Sequence, residues 1–590
     1  MNNAWAGPYA PAIKWSSGLW SLELRGDEIA DISYDGRVVL RSIRSLIRDR
    51  DWNTPTLSVY SVLGRTDSLV FAVKSSGFGS DFDGAVTISI DGETAIFKSS
   101  LTSNNDFLAN RIGFNVLHPA EVAGAKFELT HSDTSVEKSS FPIEISPNQP
   151  AFDIAGLNWT HNGLDVNLEF DGDVFEMEDQ RNWTDASFKT YSRPLALPYP
   201  YEIRINQTVR QILTLTVSGE RPQVLKSKPK AISLSKIGDF PQIQLGASSA
   251  PDSMSINHKF VKDADNSAQD RACSVILVEL DLQTQNWKAA LFRAKQSNLP
   301  VDLRIVCSAD VTEDQIAEVL ELLEEAKLLR VATFDAVSHV SVTSSSRAAE
   351  QALASANLNI PLIGGARSHF TELNRNHEHM PANLAGITFS STPLFHSLST
   401  EQLVESVAMQ RLTVLQAVKI ANGKSVHVGP ITLRPRFNNV ATAITKSPNV
   451  RDLSLGYGAQ WFGFDDERQS SPELGAWTIA SAAAFAVDGV QSITFFEEWG
   501  PRGIETADGQ TLEVKRALIE LTKLEGGQLL SGNSPDGFVW SVGSIGDLEA
   551  TVLVANLNNI AEQVQIDAIG QSQTVNVFPF SWQKVSFKKR

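Results

Sequence analysis

The first part of the chain contains short runs in which apolar and polar residues alternate, the pattern of half-buried β-strands. Eight such runs lie at residues 19–24, 58–62, 69–73, 85–90, 95–99, 126–130, 201–205 and 212–217. Turn-forming pairs, such as Asp91-Gly92 and Asp171-Gly172, separate some of these runs. Many short strands at this spacing predict a large antiparallel β-sandwich over residues 1–225.

The pattern changes near residue 236, where nearly continuous apolar runs begin to alternate with amphipathic helical stretches. Such strands pair in parallel and are covered by helices. Eight of these units indicate a TIM-like (β/α)8 barrel over residues 236–510. A doubly wound sheet is the alternative, but no glycine-rich phosphate-binding turn follows the first run. The runs lie at 243–245, 274–280, 302–306, 330–334, 361–363, 386–389, 426–428 and 492–496, and the main helical stretches at 314–326, 347–356, 400–419 and 472–486.

The last part of the chain returns to short alternating runs. They lie at residues 537–542, 550–555, 564–566, 574–578 and 583–587. This pattern predicts a small C-terminal β-sandwich over residues 511–590. The expected fold is therefore multidomain α/β plus all-β, with a β-sandwich, a barrel and a second, smaller sandwich in that order.

Composition and charge exclude several function classes. The 590 residues carry a formal net charge of −17, which argues against nucleic acid or an anionic membrane as the main partner. The N-terminal residues have no basic segment followed by an apolar one, and no apolar run is long enough to span a membrane. We therefore expect a cytoplasmic protein that binds a small molecule. Nothing in the sequence predicts an oligomeric state.

Metal, cofactor and thiol chemistry are not expected. Cys273 and Cys307 lie in apolar runs and are interpreted as small buried hydrophobic residues. His377 and His379 are two positions apart, would not share a helix face, and are predicted to lie in a surface loop. No metal site and no cofactor are predicted.

Two glutamates are the candidate catalytic residues. The active site of a TIM barrel lies at the carboxyl ends of its strands. Glu372 follows the fifth predicted strand and Glu497 follows the eighth, three units away, so the two can face each other across the barrel mouth. Opposed carboxylates are suited to acid/base or nucleophilic chemistry at the C1 atom of a sugar. Glu279, Asp281 and Asp335 end earlier strands.

Other polar residues after these strands are predicted to bind the substrate. A simple packing role does not account for so many charged and aromatic side chains at one end of a barrel. The predicted set is Arg367, His369, Asn374, His396, Arg434, Arg436, Asn438, Glu498, Trp499 and Arg502.

A polar segment at residues 175–191 is predicted to form a second wall of the pocket. Its sequence is FEMEDQRNWTDASFKTY, which has four carboxylates and no apolar periodicity. We interpret it as a long polar loop, where binding residues tend to occur. Asp179, Arg181 and Asp185 are its predicted substrate-binding residues, although a solvated charge network is an equal alternative.

Four motifs in the chain resemble the bacterial D-apionate lactonase family. They are FEMEDQRNWTDASFKTY with the following RPLALPYPY, RIGFNVLHP at 111–119, FTELNR at 370–375 and LRPRFNNVATA at 433–443. The resemblance implies an N-terminal β-domain, a TIM-like barrel and a C-terminal β-domain. It also implies hydrolysis of D-apionolactone to D-apionate in the catabolism of the branched sugar apiose.

The end of the eighth strand departs from the family pattern, in which an aromatic residue, Glu and Thr precede Gly-Trp-Arg-Gly. Glu497, Gly500, Arg502 and Gly503 match, which favours Glu497 over Glu498 as the family's acidic residue. Glu498, Trp499 and Pro501 do not match. Since these mismatches lie at the barrel mouth, they bear on the substrate and not on the fold.

Three functions remain open from the sequence. A lactonase and a glycoside hydrolase acting on a furanoside both need a carboxylate on each side of a planar C1. In a lactonase, Glu372 or Glu497 activates water or attacks the carbonyl, and Arg436, Arg502 or a histidine stabilises the oxyanion. The third alternative is a carbohydrate-binding protein without activity.

Overall fold

A computed structural model describes residues 4–8, 11–219, 229–252, 271–440, 449–458, 465–506 and 510–589. In these residues an N-terminal β-sandwich is followed by a closed eight-stranded barrel and two smaller C-terminal sheets. The predicted fold class is therefore confirmed. The domain limits at residues 225, 236 and 510 stay predictions. No helix of the described residues is long and apolar enough to cross a membrane.

The N-terminal domain packs two nine-stranded sheets face to face. One has the order β1-β2-β3-β4-β9-β16-β15-β12, with β17 also paired to β9, and the other β11-β10-β13-β14-β18-β8-β7-β6-β5. The apolar alternate residues of both sheets, such as Ile43, Phe114 and Phe97, fill the space between them. The strands are β1 Ile13–Ser17, β2 Trp20–Arg25, β3 Glu28–Tyr34, β4 Arg37–Asp49, β5 Thr56–Gly64, β6 Ser68–Ser76, β7 Phe82–Asp91, β8 Thr94–Ser103, β9 Phe107–Pro119, β10 Lys126–Thr130, β11 Val136–Ser140, β12 Ala151–Ile154, β13 Gly156–His161, β14 Leu164–Asp171, β15 Phe175–Asp179, β16 Ser187–Tyr191, β17 Tyr201–Ile203 and β18 Thr208–Ser218.

The segment at residues 175–191 is not a loop, and the prediction of its conformation was wrong. It forms β15, a short 3-10 turn at Gln180–Trp183 and β16, and nearly all of it is buried. The absence of apolar periodicity was misleading because the charges are paired inside the protein. Glu178 and Lys189, for example, are cross-strand partners whose side chains form an ion pair at 2.6 Å.

Two strands, β19 (Lys230–Ser233) and β20 (Ser235–Asp239), lie between the sandwich and the barrel. The barrel follows, with all eight predicted strands present, parallel and closed in chain order, so the doubly wound alternative was wrong. Its strands are β21 Gln242–Gly246, β22 Val275–Asp281, β23 Val301–Cys307, β24 Leu328–Asp335, β25 Leu362–His369, β26 Gly386–Ser391, β27 Ser425–Ile431 and β28 Val490–Glu497. Its helices are α1 Trp287–Lys295, α2 Glu313–Glu321, α3 Thr343–Ser355, α4 Phe370–Asn376, α5 Thr400–Ala421 and α6 Glu473–Phe485.

The C-terminal sheets include the two strands that precede the barrel. β20 pairs with β29 in a five-stranded sheet of order β20-β29-β30-β31-β34, and β19 pairs with β32 in the sheet β19-β32-β33. The remaining elements are α7 Glu513–Thr522, β29 Gln528–Ser531, β30 Val539–Ile545, β31 Glu549–Asn556, β32 Glu562–Ala568, β33 Gln571–Val577 and β34 Ser581–Lys588.

The N-terminal sandwich is joined to the barrel by polar side chains. Arg41 on β4 donates a 2.8 Å hydrogen bond to Glu405 on α5. Asn374 on α4 donates to the side chain of Asn182, at 2.9 Å. These contacts place the β15–β16 hairpin beside the carboxyl ends of β25 and β26.

Candidate active site

A buried ion-pair cluster lies at the carboxyl end of β22. Glu279 Oε1 accepts hydrogen bonds from Arg367 Nη2 and Arg436 Nη1, both at 2.9 Å. Arg436 also donates to the backbone carbonyl of Arg367, at 3.2 Å. Burial alone raises the pKa of Glu279, but the two guanidinium groups outweigh it and lower the pKa to about 2. Glu279 therefore stays ionised and holds two arginines at the mouth.

Two aromatic residues that the sequence did not single out complete this cluster. Arg367 lies over the ring of Phe437, with 4.1 Å between Cζ and the ring centroid, and His339 packs on the same ring at 4.8 Å. Burial, and then Arg367, lower the pKa of His339 to about 4, so the imidazole is neutral. His339 lies four residues beyond the end of β24. Its position just after a predicted barrel strand could have identified it from the sequence.

Glu372 lies in the first turn of α4, directly after β25. Its Oε2 accepts the backbone N–H of His369 at 3.1 Å, so the carboxyl also caps the helix. Its Oε1 accepts a 2.7 Å hydrogen bond from Asn439 Nδ2, in the loop after β27. Burial is the largest influence and raises the pKa of Glu372. A carboxyl with a raised pKa is suited to donating a proton near neutral pH.

The structure separates Glu497 from its neighbour Glu498. Glu497 accepts hydrogen bonds from the N–H and the Oγ of Ser249, both at 2.8 Å, and its Oε1 lies 3.6 Å from Arg502 Nη1. Glu498 instead accepts a long 3.4 Å bond from the N–H of Ser248, and burial raises its pKa to about 8. Glu497 is therefore the carboxylate that is paired with an arginine at the mouth.

Trp499 lies with Glu498 and not with Glu497. Its side chain is 4% exposed and faces the guanidinium of Arg293 on α1, with 5.2 Å between Cζ and the ring centroid. Arg293 also contributes to the electrostatic environment of Glu498. The substrate-binding roles of Glu498 and Trp499 stay predictions, and their surroundings favour a packing role.

An aromatic wall connects the sandwich to the barrel. Trp183 stacks on Phe395 with a centroid distance of 4.6 Å and an interplanar angle of 13°. His369 lies 5.1 Å from Trp183 and His396 lies 5.5 Å from it. His396 Nδ1 is 2.6 Å from Asp185, a residue of the N-terminal domain. Burial lowers the pKa of His369 to about 3, so this ring is neutral.

Three of the predicted binding residues have structural contacts. Asp179 and Arg181 form a buried bidentate pair at 2.8 and 2.7 Å, and Arg181 also donates to the backbone carbonyls of Pro142, Ile143 and Glu144. Asn374 bonds the carbonyl of Ile145 as well as Asn182. The contacts of Asn374 favour a role in joining the domains. Those of Asp179 and Arg181 lie within the sandwich and favour a role in stabilising it. The substrate-binding roles of the three residues stay predictions without support from their surroundings.

The two remaining predicted residues lie in the loop after β27. Arg434 Nη1 donates to the carbonyl of Asp465, at 3.1 Å. Asn438 Nδ2 lies 3.5 Å from the carbonyl of Asp51, in the N-terminal domain. Residues 441–443, the end of the fourth family motif, lie outside the described residues.

Arg436 connects the two candidate acids. Arg502 lies near enough to contribute to lowering the pKa of Arg436, and Arg436 lies near enough to His369 to lower the pKa of that ring. Glu497 with Arg502 lies on one side, and Glu372 with His369 and Asn439 on the other. The arrangement offers a proton donor, a carboxylate base and cationic hydrogen-bond donors for a developing oxyanion.

A cavity of about 650 Å³ opens at the opposite end of the barrel and is not this site. Arg330 and His427 lie in its lining, and they bond each other at 2.9 Å. Arg330 is also paired with Asp302 at 3.1 Å. Since polar residues at the amino end of a TIM barrel serve stability, the cavity is not the candidate active site. In the described part of the chain, no group of three or more His, Cys, Asp or Glu side chains could hold a metal ion.

Both cysteines are free and buried, as predicted. Burial raises the pKa of Cys273 and of Cys307 to about 12, so neither is a thiolate near neutral pH.

Family models match most of the chain. A model of the N-terminal domain of D-apionate lactonase matches residues 2–220, and a model of the TIM barrel domain of D-apionate lactonase matches residues 257–526. A curated relative, the D-apionate lactonase of Brucella anthropi, is 28% identical over 612 residues, and the match covers 96% of each chain.

Three of the matching solved structures are distant from this chain. A β-arabinopyranosidase is 11% identical with a TM-score of 0.28, over 98% of each chain. SrfJ from Salmonella typhimurium is 9% identical with a TM-score of 0.40, over 68% of this chain and 98% of that one. A GH30 endoxylanase from Clostridium papyrosolvens is 10% identical with a TM-score of 0.38, over 61% of this chain and 100% of that one. Similarities this low support no conclusion about activity.

Proposed function

Because the chain belongs to the D-apionate lactonase family, we propose that it hydrolyses D-apionolactone to D-apionate. The observation that supports this most is the relationship to a D-apionate lactonase over 96% of both chains. The candidate catalytic residues, Glu372 and Glu497, lie within residues 257–526, which the model of the barrel domain matches. A cytoplasmic location stays a prediction from the sequence.

We assign the role of general acid to Glu372. Opening a lactone expels the ring oxygen as an alkoxide, which must receive a proton to leave efficiently. Burial raises the pKa of Glu372, so its carboxyl retains a proton to higher pH than an exposed glutamate does. Asn439 and the helix-capping contact hold the carboxyl in one orientation.

We assign the role of base to Glu497. Its carboxylate accepts a proton from a water molecule, the oxygen of which attacks C1 of the lactone. Arg436 and Arg502 then stabilise the oxyanion that forms at the carbonyl oxygen. Collapse of this intermediate breaks the bond between C1 and the ring oxygen, and the proton from Glu372 completes the hydroxyl group of the product. Direct attack by Glu497 on C1 is the alternative role for the same carboxylate.

Turnover of D-apionolactone by the purified full-length chain tests the activity. Acid release is followed at constant pH for the wild type, Glu372→Gln and Glu497→Gln. Each substitution is expected to lower kcat by at least about 10²-fold, the scale of losing a general acid or base. Glu378→Gln is the matched control because Glu378 is exposed and lies just beyond the same helix.

The control should retain wild-type turnover, and all variants should melt within a few degrees of the wild type. Wild-type rates in both Glu372→Gln and Glu497→Gln would remove the assignment of these residues. Failure of the wild type to hydrolyse the lactone would reject the proposed function itself.

A glycoside hydrolase is the second candidate, because one carboxyl with a raised pKa and one ion-paired carboxylate at the same barrel mouth are also suited to glycoside cleavage. A panel of furanosides incubated with the same protein distinguishes the two. Release of reducing sugar from a furanoside without turnover of the lactone favours the glycosidase, and acid release from the lactone alone favours the lactonase.

A further inference from the structure

The polar side of the first sheet of the sandwich carries two arginines directly opposite each other. Arg48 on β4 and Arg111 on β9 are cross-strand partners. Like charges in this position repel each other and destabilise the strand pair. Among the residues that the structure describes, neither guanidinium has a carboxylate within 4.0 Å. In the described ranges each guanidinium makes one hydrogen bond, from Arg48 to the carbonyl of Trp52 at 3.1 Å and from Arg111 to the carbonyl of Arg193 at 3.4 Å.

A third cation lies beside them on the next strand. Lys189 on β16 is 5% exposed and pairs with Glu178 at 2.6 Å. Glu178 does not neutralise the group, because Arg375 also lies 3.5 Å from it. Burial, and then Arg111 and Arg48, lower the pKa of Lys189 to about 8 against the effect of Glu178. We call Arg48, Arg111 and Lys189 the cationic face.

Two polar atoms on this face are buried without a hydrogen-bond partner in the described part of the chain. They are Arg111 Nε, a donor, and Asn115 Oδ1, an acceptor. The two side chains converge: the Arg111 guanidinium lies 3.7 Å from the ring centroid of Tyr191, and Tyr191 is the cross-strand partner of Asn115. Arg111 is 5% exposed and Asn115 is 8% exposed. Leaving such buried polar groups unpaired is unfavourable, because they lose the hydrogen bonds that water would make with them.

An aromatic pair borders the face on the side that reaches solvent. The Trp52 ring lies 5.4 Å from Arg111 Cζ and 5.3 Å from the ring of Tyr199. Tyr199 is 47% exposed, so this border of the face reaches solvent. Aromatic rings of this kind pack against the C–H groups of a sugar-like chain.

We propose that the cationic face binds a small hydroxy acid, with its carboxylate between Arg48 and Arg111 and a hydroxyl group donating to Asn115 Oδ1. The excess of positive charge favours binding of an anion, and the unpaired acceptor favours a ligand that also carries a hydrogen-bond donor. The choice of a hydroxy acid rests on the proposed function, since opening a sugar lactone produces one. The anion site itself rests on the charges.

Calorimetric titration of the full-length chain tests this proposal. The probes are sodium D-apionate, the neutral polyol erythritol and inorganic phosphate. We expect D-apionate to bind, erythritol not to bind, and the affinity for D-apionate to fall as NaCl rises from about 0.05 to 0.5 M, because salt screens the attraction. Binding of phosphate without binding of D-apionate would overturn the assignment to a hydroxy acid.

Charge reversal at Arg48 distinguishes a role in ligand binding from a role in folding stability. Arg48→Glu gives Arg111 the carboxylate that it lacks, so we expect D-apionate affinity to fall at least about tenfold while the melting temperature stays equal or rises. A merely structural arginine would give a lower melting temperature with binding retained. Arg204→Gln is the control, since Arg204 is an exposed arginine of the same domain, and its affinity should stay within about twofold of wild type.

Equal affinity of the wild type and Arg48→Glu for D-apionate would overturn the site, because binding would then occur elsewhere. The titration needs no turnover, so it can be interpreted whether or not the lactone is hydrolysed. If the wild type hydrolyses the lactone but does not bind D-apionate in the titration, only this site is rejected. If the wild type binds D-apionate but does not hydrolyse the lactone, only the proposed activity is rejected.

Discussion

Replacing Glu498 by glutamine is expected to stabilise the protein increasingly as the pH rises. The carboxyl is 6% exposed, and burial raises its pKa from the ordinary value of 4.5 to about 8. Between these two values the folded chain holds a proton that the unfolded chain releases. The contribution of Glu498 to the free energy of unfolding is therefore largest below about pH 4.5. It falls as the pH rises and becomes constant above about pH 8.

The size of the effect follows from the two pKa values. Each pKa unit corresponds to about 1.4 kcal/mol, so the whole span is worth about 5 kcal/mol, and the interval from pH 5 to 7.5 is worth about 3 kcal/mol. Glutamine has the shape of the neutral acid, and its carbonyl can still accept the N–H of Ser248. The variant therefore lacks this pH dependence without losing the contact.

Scanning calorimetry of the full-length chain at several pH values from 5 to 8.5 measures the effect. For the transition in which the barrel unfolds, we compare the melting temperature of the variant with that of the wild type at each pH. This difference should be about 6 °C larger at pH 7.5 than at pH 5, since 1 kcal/mol corresponds to about 2 °C for a domain of this size. Glu378→Gln, an exposed substitution, should show a constant difference. A difference for Glu498→Gln that does not change with pH, or a variant less stable than the wild type at pH 7.5, would refute the reasoning.

Three further predictions concern ion pairs within the sandwich, at the barrel mouth and at the domain interface. Arg181→Met leaves a buried carboxylate uncompensated and should lower the free energy of unfolding by about 3–5 kcal/mol in urea titration; an unchanged midpoint would contradict the pairing. Arg436→Lys keeps the charge beside Glu279 but loses the second donor, and kcat/KM for the lactone should fall about 10²-fold; a wild-type value would remove Arg436 from the oxyanion role. Asp185→Asn removes the carboxylate that raises the pKa of His396, so that pKa should fall further in a histidine NMR titration; an unchanged value would show that the contact at 2.6 Å is not an ion pair.

The barrel could be predicted from the sequence because its signal is local. Each strand, such as β23 at Val301–Cys307, is buried on both sides and therefore appears as an apolar run with a helix on either side. The position of Glu372 and Glu497 at the mouth followed from the same signal, since the carboxyl ends of the strands share one end of the barrel.

The hairpin at residues 175–191 could not be predicted, because its stability depends on distant partners. Arg181 is bonded to carbonyls about 40 residues earlier in the chain, and Asp185 is bonded to His396 more than 200 residues later. From the sequence alone, such charged residues are expected to be exposed unless an oppositely charged partner lies nearby in the chain. His339 was missed for a related reason: its partner on the ring stack, Phe437, lies in another loop of the barrel mouth.

The pairing of β19 and β20 with C-terminal strands makes the barrel an insertion within the C-terminal β-domain. β20 and β29 are adjacent in one sheet although about 290 residues of chain separate them. During synthesis the ribosome therefore releases the first two strands of this domain, then the whole barrel, before the other strands emerge. The last domain can be completed only after the barrel has been made, and folding of the barrel brings the two parts together.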